Sequence, residues 1–392
     1  MARAAVSASA SACLFGTYDA GHSANRLLGL ALARAGWRVV ECHEPLWEEA
    51  PSKGPGYFGA ASLARLGARW AAAAGRLARR WRRLAGPPPL VVVGFGGQLD
   101  VLLARRLCRP RAGLVFAPLV SLTETLVDDR RLVAPGGLGA RALAWLDRAS
   151  LRAADLVLAD TRAHAGYLAA LGAPRGRLAV WYLGVEPEFL PTLAARPVPR
   201  RVLFYGRHLP LHGVETIALA AARLGERAEV VLIGEGPERA RAEALALRAG
   251  ARLAWRDQVP LASLPAELAA AAVVLGVFGA SQKAAMVMPN KVWQAAAAGR
   301  PLVTRDGPAL REVLRPGEHC LACPPADPAA LAEAIGRLLD DPGFAVGLGR
   351  AARRHVLARF SPERQAEHLA RVLAERLGVH APDAPAPRVG SG

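Results

Sequence analysis

The stretch PTLAARPVPRRVLFYG, residues 191–206, decides how the chain is organised. Its first ten residues contain three prolines and show no apolar periodicity, which is typical of a linker. Its last six form an apolar run that ends at a glycine, which is typical of a buried strand. Short apolar runs alternate with helical segments on both sides of this point, so the stretch separates two α/β halves.

Six strand candidates lie on each side of the linker. Those of the first half are Ala12–Phe15, Arg38–Cys42, Leu90–Val93, Leu114–Phe116, Leu156–Ala159 and Leu178–Trp181. Those of the second half lie in the segments RVLFYG, EVVLIG, ARLAW, AVVLGVF, PLVT and HCLAC. Strands that alternate with helices favour parallel sheets covered on both faces. The chain is therefore predicted to be an α/β protein with two tandem Rossmann-like, doubly wound domains and a ligand cleft between them.

The predicted domain boundaries follow from this pattern. The first domain is predicted to span 11–190, the linker 191–200 and the second domain 201–360. Residues 361–377 are predicted to form a helix that packs back on the first domain. The tail, 378–392, has the composition of a disordered segment.

The chain of 392 residues has a formal net charge of +17. Such a charge is typical of nucleic-acid-binding proteins, but it also arises when arginine is scattered over every surface. Aromatic residues do not alternate with the basic runs, as stacking platforms for bases would require. The composition therefore favours scattered arginine, and no nucleic-acid partner is predicted.

The five cysteines do not form the pattern of a metal site. Only Cys320 and Cys323 make a CxxC pair, and a structural zinc site usually needs two such pairs. Reduced thiols, no metal and no cofactor are predicted.

The N-terminal segment, residues 1–21, has two interpretations. Its small apolar residues after Arg3 are typical of a signal peptide. However, the segment runs directly into the first strand candidate, so cleavage there would remove part of a domain. A cytoplasmic location is therefore predicted, with peripheral attachment to the inner face of the cytoplasmic membrane as a further alternative.

Glycine-marked loops follow several strand candidates. The loop LFGTYDAG contains Gly16 and Gly21, and the loop VVLIGEGPERA contains Gly234 and Gly236. Glycine lets a backbone approach a phosphate closely, and a following helix N-terminus offers free N–H groups. The first loop, together with Glu41, partly imitates an NAD fingerprint, but its central glycine is missing. An NAD-dependent oxidoreductase is therefore the weaker alternative.

The order of segments along the chain resembles glycosyltransferases of family four. In the first half the resemblance is carried by GTYDAGHSANRLLGLALARAGWRVVE, PLVSLTETLVDDR and ADLVLADTRAHAGYLAALG. In the second half it is carried by RVLFYGRHLPLHGVETIALAAARL, EVVLIGEGPER, PNKVWQAAAAGRPLVT and ALREVLRPGEHCLACPPADPAALAEAI. It covers about residues 11–375, and the Pro-Asn-Lys segment is similar to one bacterial branch. The resemblance implies a GT-B fold and retaining, metal-free transfer of a glycosyl group from a nucleotide-diphosphate sugar.

The resemblance also implies a donor site in the second domain. Arg207 and His212 match two basic residues that grip the donor diphosphate in the family, although a lysine is usual at the second position. The planar fork of arginine suits phosphate oxygens, whereas histidine loses its charge near neutral pH. Lys291, in the segment MPNK, is predicted to face the diphosphate. The alternative is that Lys291 is solvated in the first turn of a helix.

Two positions depart from the wider family. Many relatives carry two glutamates, one toward the sugar and one toward the ribose, where this chain has Met286 and Gln294. Methionine cannot replace a carboxylate, whereas glutamine can hydrogen-bond ribose hydroxyls. The predicted donor-binding residues are Gly16, Thr17, Arg207, His212, Gly234, Glu235, Gly236, Met286, Pro289, Asn290, Lys291 and Gln294.

The first helix and the segment SLTETLVDDR are predicted to supply the acceptor side. His22 is as compatible with a helix cap as with a catalytic base, and a local salt bridge is the favoured interpretation of Asp129 and Arg130. Relatives often have a histidine where this chain has the pair 117–118, Ala-Pro. The predicted acceptor residues are His22, Asn25, Arg26, Ser121 and Arg130. The predicted catalytic residues are Arg207, Lys291 and His22.

Residues 62–84 place apolar side chains at helical spacing among seven arginines. The apolar residues are Leu63, Leu66, Trp70, Ala73, Leu77, Trp81 and Leu84. Such a stripe is more often a face packed on a sheet, which is the favoured alternative. The other alternative is an anionic membrane surface, where each basic residue adds about 1 kcal/mol.

The favoured function is a hexosyl-type glycosyltransferase with a nucleotide sugar and a glycan or lipid-linked acceptor as its partners. A non-catalytic module that binds a nucleotide sugar or a membrane is the second class of function. Met286 and the missing histidine keep that class open.

Overall fold

A computed structural model of the protein describes residues 11–46, 60–84, 86–108, 112–191 and 197–381, without the side chains of residues 60–63. The predicted N-terminal leader up to residue 10, residues 192–196 of the predicted linker and the predicted tail from residue 382 lie outside the described residues.

Six parallel strands form the sheet of the first domain. They are β1 (Ser11–Gly16), β2 (Arg38–His43), β3 (Leu90–Val93), β4 (Gly113–Phe116), β5 (Leu156–Ala159) and β6 (Leu178–Val180). Their order across the sheet is β2-β1-β3-β4-β5-β6. The helices are α1 (Ser23–Arg34), α2 (Ala60–Arg82), α3 (Gln98–Leu107), α4 (Leu138–Ala153) and α5 (Arg162–Leu171). Strands β3 and β5 consist entirely of buried apolar residues, because helices cover both faces of the sheet.

The second domain repeats this plan. Its strands are β7 (Arg201–Tyr205), β8 (Glu229–Ile233), β9 (Leu253–Arg256), β10 (Val273–Leu275), β11 (Leu302–Arg305) and β12 (Leu321–Cys323), in the order β12-β11-β10-β7-β8-β9. Its helices are α6 (Val214–Leu224), α7 (Arg239–Arg248), α8 (Leu264–Ala270), α9 (Gln282–Met286), α10 (Asn290–Ala297), α11 (Pro308–Val313), α12 (Pro328–Asp340) and α13 (Pro342–Phe360). The last helix is α14 (Pro362–Leu377).

The predicted fold class is confirmed, because every strand candidate contains a strand and both sheets are parallel. Some strands are shorter than predicted. The candidate AVVLGVF contributes only β10, which ends at Leu275. The next residue, Gly276, lies so close to β11 that a Cβ atom would sit 2.2 Å from Oγ1 of Thr304.

The chain passes between the domains twice. It leaves the first domain through residues 184–190 and returns after α13, where the N–H of Val185 donates to the carbonyl of Phe360 (3.0 Å). Helix α14 then packs against α1, and its Leu369 and Leu373 belong to the core of the first domain. The C-terminal helix is thus part of the first domain's core.

Helix α2 packs its apolar stripe inward. Ala73 and Leu77 are completely buried, and the ring of Trp81 meets Phe15 edge-on at 6.0 Å. The favoured interpretation of this stripe, packing within the domain, is therefore correct for the described side chains. None of the described helices is long and apolar enough to cross a membrane.

The strand orders locate the ligand cleft. In each sheet the order reverses beside the first strand of the domain, between β1 and β3 and between β7 and β10. Ligands of open parallel sheets bind outside the carboxyl ends of strands at such points. The loops that start at Gly16, Gly94, Gly206 and Gly276 are therefore the ones that frame the cleft.

We expect Gly213→Ala to destabilise the protein more than the matched change Gly250→Ala. Both glycines have left-handed backbones, with φ of 63° and 67°, so each alanine adds strain of about 1 kcal/mol. At Gly213 a Cβ atom would also lie 2.7 Å from the backbone of Phe278 and Gly279, whereas the space around Gly250 is open. Calorimetry should show Gly213→Ala melting roughly 5 °C or more below Gly250→Ala. Equal melting temperatures would contradict this tight contact.

Candidate functional site

Arg207 lies at the start of the loop that follows β7, and its side chain is exposed toward the cleft. Among the described residues, no carboxylate pairs with its guanidinium. Arg130 approaches from the first domain. Burial lowers its pKa, the charge of Asp129 opposes that shift, and the nearby charge of Arg207 adds to it. Nε of Arg130 is buried and has no hydrogen-bond partner among the described residues. Two guanidinium groups from opposite domains therefore face one space.

Lys291 is buried beneath this space, in the first turn of α10. Its Nζ lies 3.1 Å from Nε2 of His212 and 5.1 Å from the centroid of the Phe204 ring. Lys291 is only 6% exposed, so the alternative of a solvated lysine is wrong. Pro289 ends the preceding extended segment and Asn290 begins the helix, which directs residue 291 inward.

The ring of His212 stays neutral and receives a hydrogen bond from the lysine. Its Nδ1–H donates to the backbone carbonyl of Arg207, so the lone pair of Nε2 points at Lys291. Burial, followed by the charge of Lys291, lowers the pKa of His212 well below its usual value. Burial also lowers the pKa of Lys291 to about 7. The pair therefore carries at most one positive charge, which resides on Lys291.

Gln294 is engaged by protein groups rather than left free for a ribose. Its Oε1 accepts a hydrogen bond from the Tyr205 hydroxyl (2.7 Å), and its amide donates to the carboxylate of Glu186. Glu186 is 2% exposed and also pairs with Arg26, which in turn pairs with Glu188. Gln294 was predicted as a donor contact and Arg26 as an acceptor contact, but both bind the carboxylate of Glu186. The sequence did not indicate a role for Glu186, which lies where the chain leaves the first domain.

The loop after β1 is hydrogen-bonded to the carboxylate of Asp100. Both the backbone N–H and the hydroxyl of Thr17 donate to Oδ2 of Asp100, at 2.7 and 2.9 Å. The indole of Trp70 donates to the other oxygen (2.8 Å). A Cβ atom on Gly16 would lie 2.6 Å from the same carboxylate, so the glycine serves this contact. The arrangement also speaks against the dinucleotide alternative, because Asp100 takes the N–H that a pyrophosphate would need.

The Gly-x-Gly turn after β8 packs against the loop after β7. A Cβ on Gly234 would lie 2.1 Å from the carbonyl oxygen of Gly206, and one on Gly236 would meet the backbone of His208. The carbonyl of Glu235 accepts from the N–H of His208 (2.8 Å). These residues therefore position the Arg207 loop, which is an indirect role in the site.

His208 was not singled out by the sequence. Its side chain is completely buried, and neither ring nitrogen has a partner among the described residues. Burial, together with the nearby Arg239, lowers its pKa to about 4, so the ring is neutral. It packs between Phe204 and Trp255 as an apolar group.

Helix α9 joins the two domains across the cleft. The hydroxyl of Ser281 donates to Oδ1 of Asp129, and Nζ of Lys283 donates to Oγ1 of Thr125, both at 2.8 Å. Asp129 and Thr125 belong to a π-helix of the first domain, Glu124–Asp129. Asp129 therefore binds the second domain. Its charge also acts on Arg130, as predicted, although no salt bridge is formed between the two side chains among the described residues.

Met286 contributes its backbone to the same junction. Its carbonyl accepts a hydrogen bond from the hydroxyl of Thr161 (2.5 Å). Nearby, both oxygens of Glu312 accept from the first N–H groups of α5, those of Arg162 (2.7 Å) and Ala163 (2.8 Å). A carboxylate of the second domain thus caps a helix of the first, where an anion is favoured.

A cluster of ionisable groups is buried at this junction. Nδ1 of His164 lies 2.7 Å from Asp160, and its Nε2 lies 3.6 Å from Glu124. Burial opposes charge on His164, but the two carboxylates outweigh it and raise its pKa. Burial lowers the pKa of Lys283 although Glu124 opposes that shift. Ser121, predicted at the acceptor site, exchanges two hydrogen bonds with Glu124 and is 2% exposed.

His22 and Asn25 organise the start of α1. Nδ1 of His22 accepts from the N–H of Ala24 (3.2 Å), which is the helix-cap role, and its ring stacks on Phe95 at 4.3 Å. Asn25 bridges two loops by donating to the carbonyl of Asp19 and accepting from the N–H of Phe95. The acceptor and catalytic roles of these residues remain predictions.

The cysteines have no catalytic setting. All five are buried and free, and burial raises the pKa of Cys320 and Cys323 to about 12. Within the described ranges, no group of three or more His, Cys, Asp or Glu residues is arranged to hold a metal ion.

Comparisons with known proteins match this architecture. Residues 199–341 match the family model described as "Glycosyl transferases group 1". The matched residues run from the start of β7 to the end of α12 in the second domain. The glycogen synthase of Mycobacterium tuberculosis is 40% identical over 90 residues, which are 23% of this chain and 22% of the relative. The D-inositol 3-phosphate glycosyltransferase of Acidothermus cellulolyticus is 32% identical over 288 residues, 66% of this chain and 62% of the relative. The chain therefore spans less than two thirds of each of these relatives.

Solved structures share the fold over nearly the whole chain. Sucrose-phosphate synthase from Thermosynechococcus elongatus superposes with a TM-score of 0.72 at 20% identity and covers 94% of this chain and 99% of its own. Anabaena HepE in complex with UDP-glucose superposes with a TM-score of 0.66 at 14% identity. The superposition covers 93% of this chain and 98% of the HepE chain. The protein has the GT-B fold.

We expect Lys291→Met to change how stability depends on pH. The pKa of Lys291 is about 7 in the folded protein and that of an unfolded lysine is about 10.4. Between these values the unfolded chain binds the additional proton, so this group makes the wild type more stable as pH rises through the interval. Melting temperatures should favour Lys291→Met most at about pH 6, and its advantage should shrink toward about pH 9. A constant difference would show that residue 291 does not carry a buried, titrating ammonium.

Proposed function

We propose that the protein transfers a glycosyl group from a nucleotide-diphosphate sugar to a glycan or lipid-linked acceptor. The observation that carries this proposal is the convergence of Arg207 and Lys291 at the loop after β7, where His212 links the Arg207 backbone to the Lys291 ammonium. Arg207 has no carboxylate partner among the described residues, and the ammonium is buried without an anion. A diphosphate supplies the missing negative charge.

The comparisons support the same choice of donor. HepE, with the same fold, binds UDP-glucose, and the family model covers the domain that contains Arg207 and Lys291. In the proposed reaction the bond between the sugar and the diphosphate breaks while the acceptor oxygen bonds to the anomeric carbon. The diphosphate leaves with the bonding electrons and takes up the proton of the acceptor hydroxyl, and Arg207 and Lys291 stabilise its charge. Fixed charged groups that stabilise developing charge usually contribute most of the rate enhancement in catalysis of this kind.

Domain closure would complete the site. The hydrogen bonds from α9 to the π-helix, and from α5 to Glu312, join the domains directly beside the cations. Closure excludes water, which strengthens electrostatic contacts and protects the donor from hydrolysis. Retention at the anomeric carbon and a hexose as the transferred sugar are proposed on the family resemblance alone.

Titration calorimetry with UDP, GDP and ADP tests the donor site. One of the three should bind, and Arg207→Ala should weaken its binding about 10- to 100-fold, because a charge-assisted hydrogen bond is worth roughly 1.5–3 kcal/mol. Lys291→Ala should weaken it as well, more at about pH 6 than at pH 8, where the wild-type ammonium is largely neutral. Arg248→Ala, on the exposed end of α7, is the matched control and should bind like the wild type.

Two results would contradict the proposal. If none of the three nucleotides binds, the cations have another anion. If a nucleotide binds but the corresponding nucleotide sugars are neither transferred nor slowly hydrolysed, the protein is a non-catalytic nucleotide-sugar-binding module.

A further inference from the structure

A cavity of about 350 Å³ lies in the first domain beside the cleft. Four elements contribute to its apolar lining: Leu66 and Trp70 of α2, Leu99 of α3, Leu126 of the π-helix, and Leu143 and Leu146 of α4. Loop residues Leu46, Phe95, Val120 and Leu122 complete that lining. The volume lies within the range of small-molecule sites, which are mostly apolar with a few placed polar groups. We call this cavity the apolar chamber.

The polar groups of the apolar chamber lie on its cleft side. Arg130 lines it, and so does Thr125, whose hydroxyl accepts from Lys283 of the second domain. Asp19, from the loop after β1, is the carboxylate in this lining. Since Arg130 also feels the charge of Arg207, the polar end of the chamber borders the proposed diphosphate site.

The outer edge of the apolar chamber is formed by α4, which is unusually apolar for an exposed helix. Leu138 is 83% exposed and Trp145 is 64% exposed, and both lie on one side of the helix, seven residues apart. Arg141 and Arg148 are exposed on the same side. Neither Leu138 nor Trp145 lines the cavity, so α4 carries these exposed apolar side chains on the outside of the chamber wall that Leu143 and Leu146 form.

We propose that the apolar chamber binds the hydrocarbon part of an amphiphilic acceptor whose anionic group is held by Arg130. This inference rests on the proposed function, and it names the acceptor class for it. The chain would fill the space among Leu126, Leu143 and Leu146. The anionic group would then lie between the domains, with the acceptor hydroxyl beside the donor.

Leaving Arg130 without a ligand is unfavourable, which explains the choice of an anionic head group. Its Nε is buried and has no hydrogen-bond partner among the described residues. Asp129 acts on Arg130 through its charge, but its Oδ1 accepts the hydrogen bond of Ser281. A neutral aliphatic ligand would fill the chamber but leave this Nε–H without an acceptor. An inorganic anion would meet the guanidinium but leave the apolar lining empty.

Titration calorimetry with dodecyl phosphate, 1-dodecanol and inorganic phosphate, each below its aggregation limit, tests the proposal on the full chain. Dodecyl phosphate should bind at least 10-fold more tightly than dodecanol, and inorganic phosphate should not compete with it. Arg130→Gln should remove the preference for the phosphate ester. Leu146→Trp, which fills the chamber, should weaken dodecyl phosphate at least 10-fold. Leu247→Trp, at a leucine that is 82% exposed on α7, is the matched control and should leave binding unchanged.

Leu143→Trp is a second variant that fills the chamber, in case Leu146→Trp does not fold. The melting temperature of each variant shows whether it is folded. The proposal is overturned if dodecyl phosphate binds both filled variants as tightly as it binds the wild type. It is also overturned if dodecyl phosphate does not bind the wild type. Titration of the nucleoside diphosphate on the same samples separates the two hypotheses. Nucleotide binding without amphiphile binding refutes only the acceptor class, and amphiphile binding in the chamber without nucleotide binding refutes only the transferase.

Discussion

The ammonium of Lys291, held in the protein interior by the neutral ring of His212, is the contact around which the donor side is built. An isolated buried charge is unfavourable, and here only a histidine lone pair and an aromatic face offset it. His212 is itself fixed by the carbonyl of Arg207. The lysine, the histidine and the arginine loop therefore hold one another in place.

This contact also accounts for a departure from the family resemblance. Relatives commonly place a lysine where this chain has His212, which suggested a weaker grip on the diphosphate. In the structure the ammonium of Lys291 reaches Nε2 of His212 from α10, and the histidine acts as its acceptor. A positive charge is thus retained, although its buried position makes it titrate near neutral pH.

The two domains contribute different kinds of groups to the cleft. The second domain contributes Arg207 and Lys291 from loops at the carboxyl ends of β7 and β10. The first domain contributes Arg130 and the apolar chamber. Hydrogen bonds from Ser281 and Lys283 to the π-helix join them, so the geometry of both halves depends on closure. Exchange of hydrogen bonds across the junction, rather than a large apolar interface, is suited to opening and closing.

The sequence by itself determined the architecture. Each strand is a short apolar run bounded by glycine or polar residues, and each helix carries its own periodicity, so local physics was sufficient to place twelve strands. The resemblance to glycosyltransferases of family four, which the order of the segments carries, singled out Arg207 and Lys291. The spacing of α2 favoured inward packing over a membrane surface, and the described side chains pack inward.

Only the tertiary structure decided which side chains are available to a ligand. Gln294 is taken by Glu186, Thr17 by Asp100 and Asp129 by Ser281, and each partner lies 83 or more residues away in the chain. No local pattern encodes such pairs, since they form where separate elements converge. The apolar chamber arises in the same way, from four elements whose individual sequences look like ordinary core. Local sequence patterns were therefore sufficient to predict the strands and helices. Contacts between segments that are distant in the chain determined which side chains are available at the site.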